Sequence, residues 1–403
     1  MVRAYDSLYF NNTYLSLTDL SAILSGTDKN FRFERVVSSS EGEYFSITRG
    51  QNSVLSSGAE GLIPRTLTAV LNPTRNRLLV DGTDRKYYTH NPKTGDLYMS
   101  LTDVQLLLDL SMIRSSGSLV MYLDFPFIPD LNALQADGYF NMLDSAFVGD
   151  AETGEVLFTL HGEDSVPVAS LSKLLSFLVL KEAISAGEIS ASDYVQISRN
   201  AEAVSLSGDG IISLKAGESV PFSELMEGML VASSNECALA LAEHLCGSEE
   251  AFVTRMNRRA LELGLYSVRM FNCSGLPSYT DGAVPVKRQN LMSADDLFRL
   301  TCYILRYYPE ITEITSSQLS HLPSLNDYWT ANSNPLIYNL PGVDGLKTGS
   351  TNRAGYCLVA TLPVRAVDGI HHLVLVLLGA ETADIRGQAA EILLRYGRMG
   401  YIQ

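Results

Sequence analysis

A serine and a lysine three residues apart, Ser170 and Lys173, stand at the head of the apolar run Leu174-Leu175-Ser176-Phe177-Leu178-Val179-Leu180. If Ser170 starts a helix, that spacing puts both side chains on one face, one turn apart, and the amine reaches the hydroxyl. The pair is then a nucleophile beside a base. Burial at the head of so apolar a helix favours the neutral amine, which can take a proton near neutral pH. The free N–H groups of a helix N-terminus add donors for an oxyanion. Taken alone, the two residues read more readily as a capping serine and a snorkelling lysine. What reverses that preference lies downstream.

Ser233-Ser234-Asn235 and then Lys347-Thr348-Gly349 follow in the chain. Ser-x-x-Lys occurs only once, Ser-x-Asn four times (at Ser198, Ser233, Ser324 and Ser350), and Lys-Thr-Gly twice. Order and setting choose among the copies. Lys93-Thr94-Gly95 precedes the nucleophile and sits in a polar turn, whereas Lys347 follows Pro341-Gly342-Val343-Asp344-Gly345 and leads into an apolar strand. Ser233 lies where a helix over Leu225 to Val231 ends and another from Glu236 begins, a junction that can aim side chains into a cleft.

The elements that must hold these residues follow from periodicity. Ala146 to Asp150 and Glu155 to Leu160, joined at Glu152-Thr153-Gly154, read as a hairpin that delivers the chain to Ser170. Apolar residues at three- and four-residue spacing predict helices over Phe222 to Val231, Glu236 to Leu245 and Glu249 to Leu263. Strands return at Gly355 to Thr361 and His371 to Leu378, and Ala383 to Tyr396 predicts a closing helix. A sheet built from both ends of this region around a helical insert is the expected architecture, an α+β fold.

Upstream, Tyr14-Leu15-Ser16-Leu17-Thr18-Asp19-Leu20 is echoed by Tyr98-Met99-Ser100-Leu101-Thr102-Asp103-Val104. Each copy has a Thr-Asp helix start, a preceding turn (Asn11-Asn12, and Asn91 to Asp96) and strand-like residues after it (Phe31 to Val36, and Leu119 to Leu123). Two hairpin-helix-strand units result. Prolines in Asp124-Phe125-Pro126-Phe127-Ile128-Pro129-Asp130 mark a connection, so the expected division is an amino-terminal module over 1–134 and a second domain over 135–403.

With 403 residues, 46% hydrophobic and 19% charged, the chain reads as a soluble globular protein of two or three domains. A formal charge of −15 and no dense Lys/Arg run argue against nucleic acid or an anionic membrane surface as partner. Five cysteines, an odd number without CxxC spacing, read as small core residues. No apolar h-region follows Met1 and no stretch is long enough to span a bilayer, so no transmembrane segment is expected and any export signal is absent from this chain.

Val168 to Leu180, Gly228 to Asn235, Phe271-Asn272-Cys273-Ser274-Gly275-Leu276-Pro277 and Gly342 to Thr361 together resemble the serine D-alanyl-D-alanine carboxypeptidases, the low-molecular-weight penicillin-binding proteins. The resemblance covers Gly138 to Gln403 and implies the penicillin-binding transpeptidase fold, an antiparallel sheet with a helical subdomain. It also implies roles. Ser170 attacks the penultimate D-alanine carbonyl with Lys173 as base, Ser233 relays a proton to the leaving D-alanine, and Asn235 holds Lys173 and the substrate amide. Lys347 supplies positive potential, Thr348 and Arg386 receive the terminal carboxylate, and the backbone N–H groups of Ser170 and of Ser350, next after Gly349, form the oxyanion hole. Peptidoglycan stem peptides are the implied substrates and β-lactams the implied inhibitors. Work outside the cytoplasm follows, with no metal and no cofactor. The amino-terminal repeats resemble the copper-amine-oxidase N-terminal-like module, and with His90 the only histidine there, a spacer or binding role is expected rather than copper.

Rival readings remain. A class A β-lactamase needs a Glu-x-x-x-Asn loop between Asn235 and Lys347, and none is present. A D,D-transpeptidase or endopeptidase of the same fold differs only in what resolves the acyl-enzyme, and a catalytically lapsed wall-binding protein would not acylate at all. Metal hydrolysis lacks HExxH, and His371 and His372, adjacent in a strand, point to opposite faces. Leu346 stands where a P-loop requires glycine. The family's β-rich stalk and amphipathic anchor have no counterpart before Gln403, and Ser278 to Asn290 forms a longer connection than usual.

Overall fold

The computed structural model describes residues 4–6, 13–38, 42–51, 73–74, 78–81, 83–85, 89–90, 97–115, 118–122, 129–136, 138–279, 287–399 and 401. Two compact units divide the chain, Met1–Phe140 and Asn141–Gln403. The short helix Leu131–Ala136 belongs to the first of them.

In the first unit the two echoed segments are neighbours. Thr13–Ser16 pairs antiparallel with Tyr98–Ser100, Leu15 opposite Met99, and each strand runs directly into a helix, Leu17–Ile23 and Leu101–Leu108. Ser16, not the Thr-Asp pair itself, caps the first helix by accepting from the Asp19 N–H at 3.2 Å. Leu15, Leu17, Leu20, Phe31, Ile47 and Met99 bury this unit's own core. Strand Phe31–Ser38 and hairpin Ser111–Ser115 with Ser118–Tyr122 follow the helices. The turns at 11–12 and 91–96, the Lys93 copy and most of the 124–130 connection lie outside the described residues.

The second unit is α+β. Its antiparallel sheet runs Val156–Leu160, Ser145–Asp150, Ile370–Ala380, Gly355–Arg365, Gly345–Thr351. Val148 and Gly149 alternate to opposite faces of the second strand. A β-carbon built on Gly397 of the closing helix Ala383–Met399 would lie 3.2 Å from Val148, and one built on Gly149 only 2.7 Å from Phe298 of helix Ala294–Tyr307. Helices thus cover both faces, which is why Leu373 to Leu378 are apolar without alternation and fully buried.

Between the sheet's two halves the chain folds into helices. Ser172–Ser185 is buried along Leu174 to Leu180 on every side, and Phe222–Leu230, Asn235–Cys246 and Glu249–Glu262 pack around it. Serines start the last two: Ser234 accepts from the Cys237 N–H at 3.1 Å and Ser248 from the Ala251 N–H at 3.2 Å. All five cysteines are free thiols, with Cys237, Cys273 and Cys357 buried. Among the described residues no helix is long and apolar enough to cross a membrane.

Candidate active site

Ser170 sits in a 3-10 turn, Ala169–Leu171, immediately ahead of helix Ser172–Ser185 rather than inside it. Side chains three apart eclipse one another in a 3-10 turn, so the pairing with Lys173 survives the difference. Lys173 Nζ lies 2.9 Å from Ser170 Oγ, 2.8 Å from Asn235 Oδ1 and 2.7 Å from the Ser274 carbonyl oxygen. Burial pulls the lysine down to about 7, against smaller opposing effects of Cys273, Glu236 and Cys237. A neutral amine has two N–H bonds and one lone pair. Asn235 Oδ1 and the Ser274 carbonyl can only accept, so they take the two N–H bonds and the lone pair faces Ser170. In its neutral form Lys173 is therefore placed to accept the serine proton.

Ser233 occupies the gap between helices Phe222–Leu230 and Asn235–Cys246, with φ at 64°. That left-handed conformation is costly for a residue with a side chain and breaks the helical path there. Asn235 opens the next helix, one end bound to Lys173 and its Nδ2 donating to the Asp209 carbonyl at 3.0 Å. The junction expected from the sequence is thus present, with Ser233 half-buried beside it.

Lys347, Thr348, Gly349 and Ser350 lie on Gly345–Thr351, the edge strand of the sheet. Its outer edge offers unpaired backbone groups to whatever lies in the cleft. Lys347 is 1% exposed and donates to the Thr348 carbonyl at 2.8 Å. Burial first, then the charges of Lys173 and Arg386, hold it well below the usual lysine range. Arg386, in the first turn of the closing helix, is 8% exposed, lies over the Tyr356 ring at 5.9 Å, and has a buried Nε without a hydrogen-bond partner among the described residues. A chain of formal charge −15 gathers three buried basic side chains here, Lys173, Lys347 and Arg386, whose charged forms an anionic ligand would favour. Gly349 is held close: a β-carbon on it would stand 2.9 Å from the Ser170 nitrogen.

Three positioning groups escaped the sequence reading. The Ser274 carbonyl is one; it belongs to the quoted Asn272-Cys273-Ser274-Gly275 run, but a backbone acceptor has no residue signature. Asn290, fully buried, is another: its Oδ1 accepts from the Phe271 N–H at 2.7 Å and its Nδ2 donates to Ser172 Oγ and the Asn272 carbonyl, both at 2.9 Å. Ser333 is the third, with Oγ 2.7 Å from Thr348 Oγ1. The long connection after Leu276 forms a hairpin base, Ser278 opposite Arg288, whose tip lies outside the described residues.

Away from this site, Asp150, Glu152 and His371 form a group of metal-ligating types. Both Asp150 oxygens are already engaged, one by the N–H groups of Glu152 and Thr153 and the other by His371 and Tyr401. His372 meets Glu152 at 2.9 Å.

Residues 141–382 match the D-alanyl-D-alanine carboxypeptidase family, and the chain belongs to that family. It is 33% identical over 259 residues to D-alanyl-D-alanine carboxypeptidase DacF of Bacillus subtilis, covering 64% of this chain and 62% of that one. To DacC of Escherichia coli it is 32% identical, covering 62% and 59%. The chain thus spans about three-fifths of the length of these relatives. Among solved structures, a peptidoglycan synthesis regulatory factor (PBP3) from Streptococcus pneumoniae superposes with a TM-score of 0.58 at 30% identity, over 63% of this chain and 73% of that one. Penicillin-binding protein D2 from Listeria monocytogenes, in its ampicillin-bound form, gives 0.53 at 28% identity, over 64% and 98%.

Proposed function

We propose that this chain is a serine D-alanyl-D-alanine carboxypeptidase that trims peptidoglycan stem peptides outside the cytoplasm and is acylated by β-lactams. The observation that carries the reading is the buried Lys173 Nζ, 2.9 Å from Ser170 Oγ and bracketed by two further oxygens, Asn235 Oδ1 and the Ser274 carbonyl. Ser170 Oγ attacks the carbonyl of the penultimate D-alanine while its proton passes to Lys173. The oxyanion is held by the backbone N–H groups of Ser170 and Ser350, which the close approach of Gly349 supports. As the C–N bond breaks, Ser233 passes its proton to the departing amine and takes in its place the one held by Lys173, and D-alanine leaves. Water then attacks the acyl-enzyme ester, restores Ser170 and releases the shortened peptide. Lys347, Thr348 and Arg386 receive the terminal carboxylate, Arg386 through the planar fork that suits it. The amino-terminal unit serves as a spacer or binding module with a core of its own.

The test is D-alanine release from diacetyl-Lys-D-Ala-D-Ala by purified protein, with and without prior penicillin, alongside fluorescent-penicillin labelling of wild type and Ser170→Ala. Penicillin-sensitive release that the substitution abolishes supports the reading. Labelling of Ser170 without release would replace it by a transpeptidase or endopeptidase, and absence of both by a lapsed wall-binding protein.

A further inference from the structure

Thr348 is a rotor with one proton, and its hydroxyl is useful to an anion only if that proton points at the anion. Among the described residues the side-chain group that meets it is the Ser333 hydroxyl, at 2.7 Å between the two oxygens. Ser333 follows the hairpin Leu319–Leu322 with Tyr328–Ala331 and is held by the asparagines on either side of it. Asn332 Nδ2 donates to the carbonyls of Thr315 and Ser317, each at 2.8 Å, and its Oδ1 accepts from the Asn334 N–H at 2.9 Å. Asn334 Nδ2 donates at 2.8 Å to the carbonyl of Gly345, the first residue of the strand that carries Lys347 and Thr348. The Ser333 N–H reaches the Val231 carbonyl at 3.4 Å, at the end of the helix that precedes Ser233. Its backbone is therefore tied to both walls of the cleft.

We propose that Ser333 is a positioning residue that sets the direction of the Thr348 hydroxyl toward the terminal carboxylate of the substrate; this rests on the reading above. A carboxylate only accepts. When it binds, the Thr348 proton goes to it, and the short contact with Ser333 can then be filled only by the Ser333 proton. The order is Ser333 to Thr348 to carboxylate, each donor strengthening the next. With the serine in place the rotor is ordered before the ligand arrives, which lowers the entropy lost on binding. Nothing in a Ser-x-x-Lys, Ser-x-Asn or Lys-Thr-Gly pattern indicates this residue.

The experiment compares acylation by benzylpenicillin, which carries the carboxylate, with acylation by its methyl ester, which does not, in wild type, Ser333→Ala and Ser333→Thr. Ser333→Ala should lose about five- to tenfold in the second-order rate with the acid and stay within about twofold of wild type with the ester. Ser333→Thr should restore the acid rate. Equal losses on acid and ester would mean a merely structural serine and overturn the proposal, as would no loss on either. D-alanine release by the wild type is measured separately: its absence defeats the carboxypeptidase reading, while the acid-to-ester ratio still decides Ser333. A wild type that neither compound acylates would overturn both.

Discussion

Gly349 stands against Ser170 with no room for a side chain: a β-carbon there would lie 2.9 Å from the serine nitrogen and 3.0 Å from the Val168 carbonyl oxygen. The contact sets how closely the edge strand approaches Ser170, and so whether the two backbone donors of the proposed oxyanion hole converge. Gly349→Ala must push the strand away from the turn. The fold should persist, because the strand's inner edge keeps its ladder to Gly355–Arg365. Acylation by a fluorescent penicillin should fall by about 10- to 100-fold, short of the full loss of a donor, with the melting temperature within a few degrees of wild type.

Gly275 meets the same turn from the other side. Its φ is +94°, and a β-carbon would lie 2.0 Å from the Ala169 carbonyl oxygen, an overlap with backbone that cannot swing aside. Gly275→Ala should therefore cost about 3 kcal/mol or more in stability by urea unfolding, and acylation should fall with it. Gly154 is the control. It also has a positive φ, +74°, but nothing within 4 Å, so Gly154→Ala should cost only the backbone strain, about 1 kcal/mol.

Residue types with a fixed spacing were readable in advance. Ser170 and Lys173 are local in sequence, so an i to i+3 relation places them together whether the turn is α or 3-10. The helices around them announced themselves by periodicity, and their boundaries moved by only a residue or two where caps such as Ser234 decided them. Ser274, Asn290 and Ser333 were not readable, because each acts through a contact with residues distant in sequence and through one carbonyl, amide or hydroxyl. Asn290 reaches Ser172 across 118 positions. Such a partner is chosen by how the loops close, and a single asparagine leaves no trace of it. The echoed strands of the first unit fall between these cases: their likeness was visible, their pairing in one sheet was not.

Asn290 is the most consequential of the three for folding. It joins the helix that follows Ser170, at Ser172, to the loop that presents the Ser274 carbonyl to Lys173, with every polar atom of its side chain engaged and no exposure. Asn290→Ala leaves buried donors and acceptors without partners, so about 2 to 4 kcal/mol should be lost in urea unfolding. Acylation should drop further than stability alone accounts for under conditions where the variant is fully folded, because Lys173 loses a fixed acceptor. A variant as active as wild type when folded would show that the Ser274 carbonyl needs no such bracing.

The pH dependence of acylation follows from Lys173, whose burial brings it from the usual 10.5 to about 7. With Lys173 as the proposed base, which works only when neutral, the rate should rise about tenfold per pH unit below 7 and level off above it. Cys273, Glu236 and Cys237 oppose the shift. Glu236 is fully buried and uses one carboxylate oxygen to hold the Ile211 and Ile212 amides, which a glutamine can still do. Glu236→Gln removes the charge that favours protonated Lys173, so the acid limb should move to lower pH; a limb that stayed in place would assign it to another group. Stability carries the opposite face of the same shift. Between about 7 and 10.5 the unfolded chain holds a proton on Lys173 that the folded chain has shed, so stability rises with pH across that window and the cost of burying the lysine is fully present below it. In Lys173→Met this contribution is gone. The gain in urea-unfolding stability between pH 6 and pH 9 should therefore be smaller than in wild type, and an equal gain in both would place the titration elsewhere.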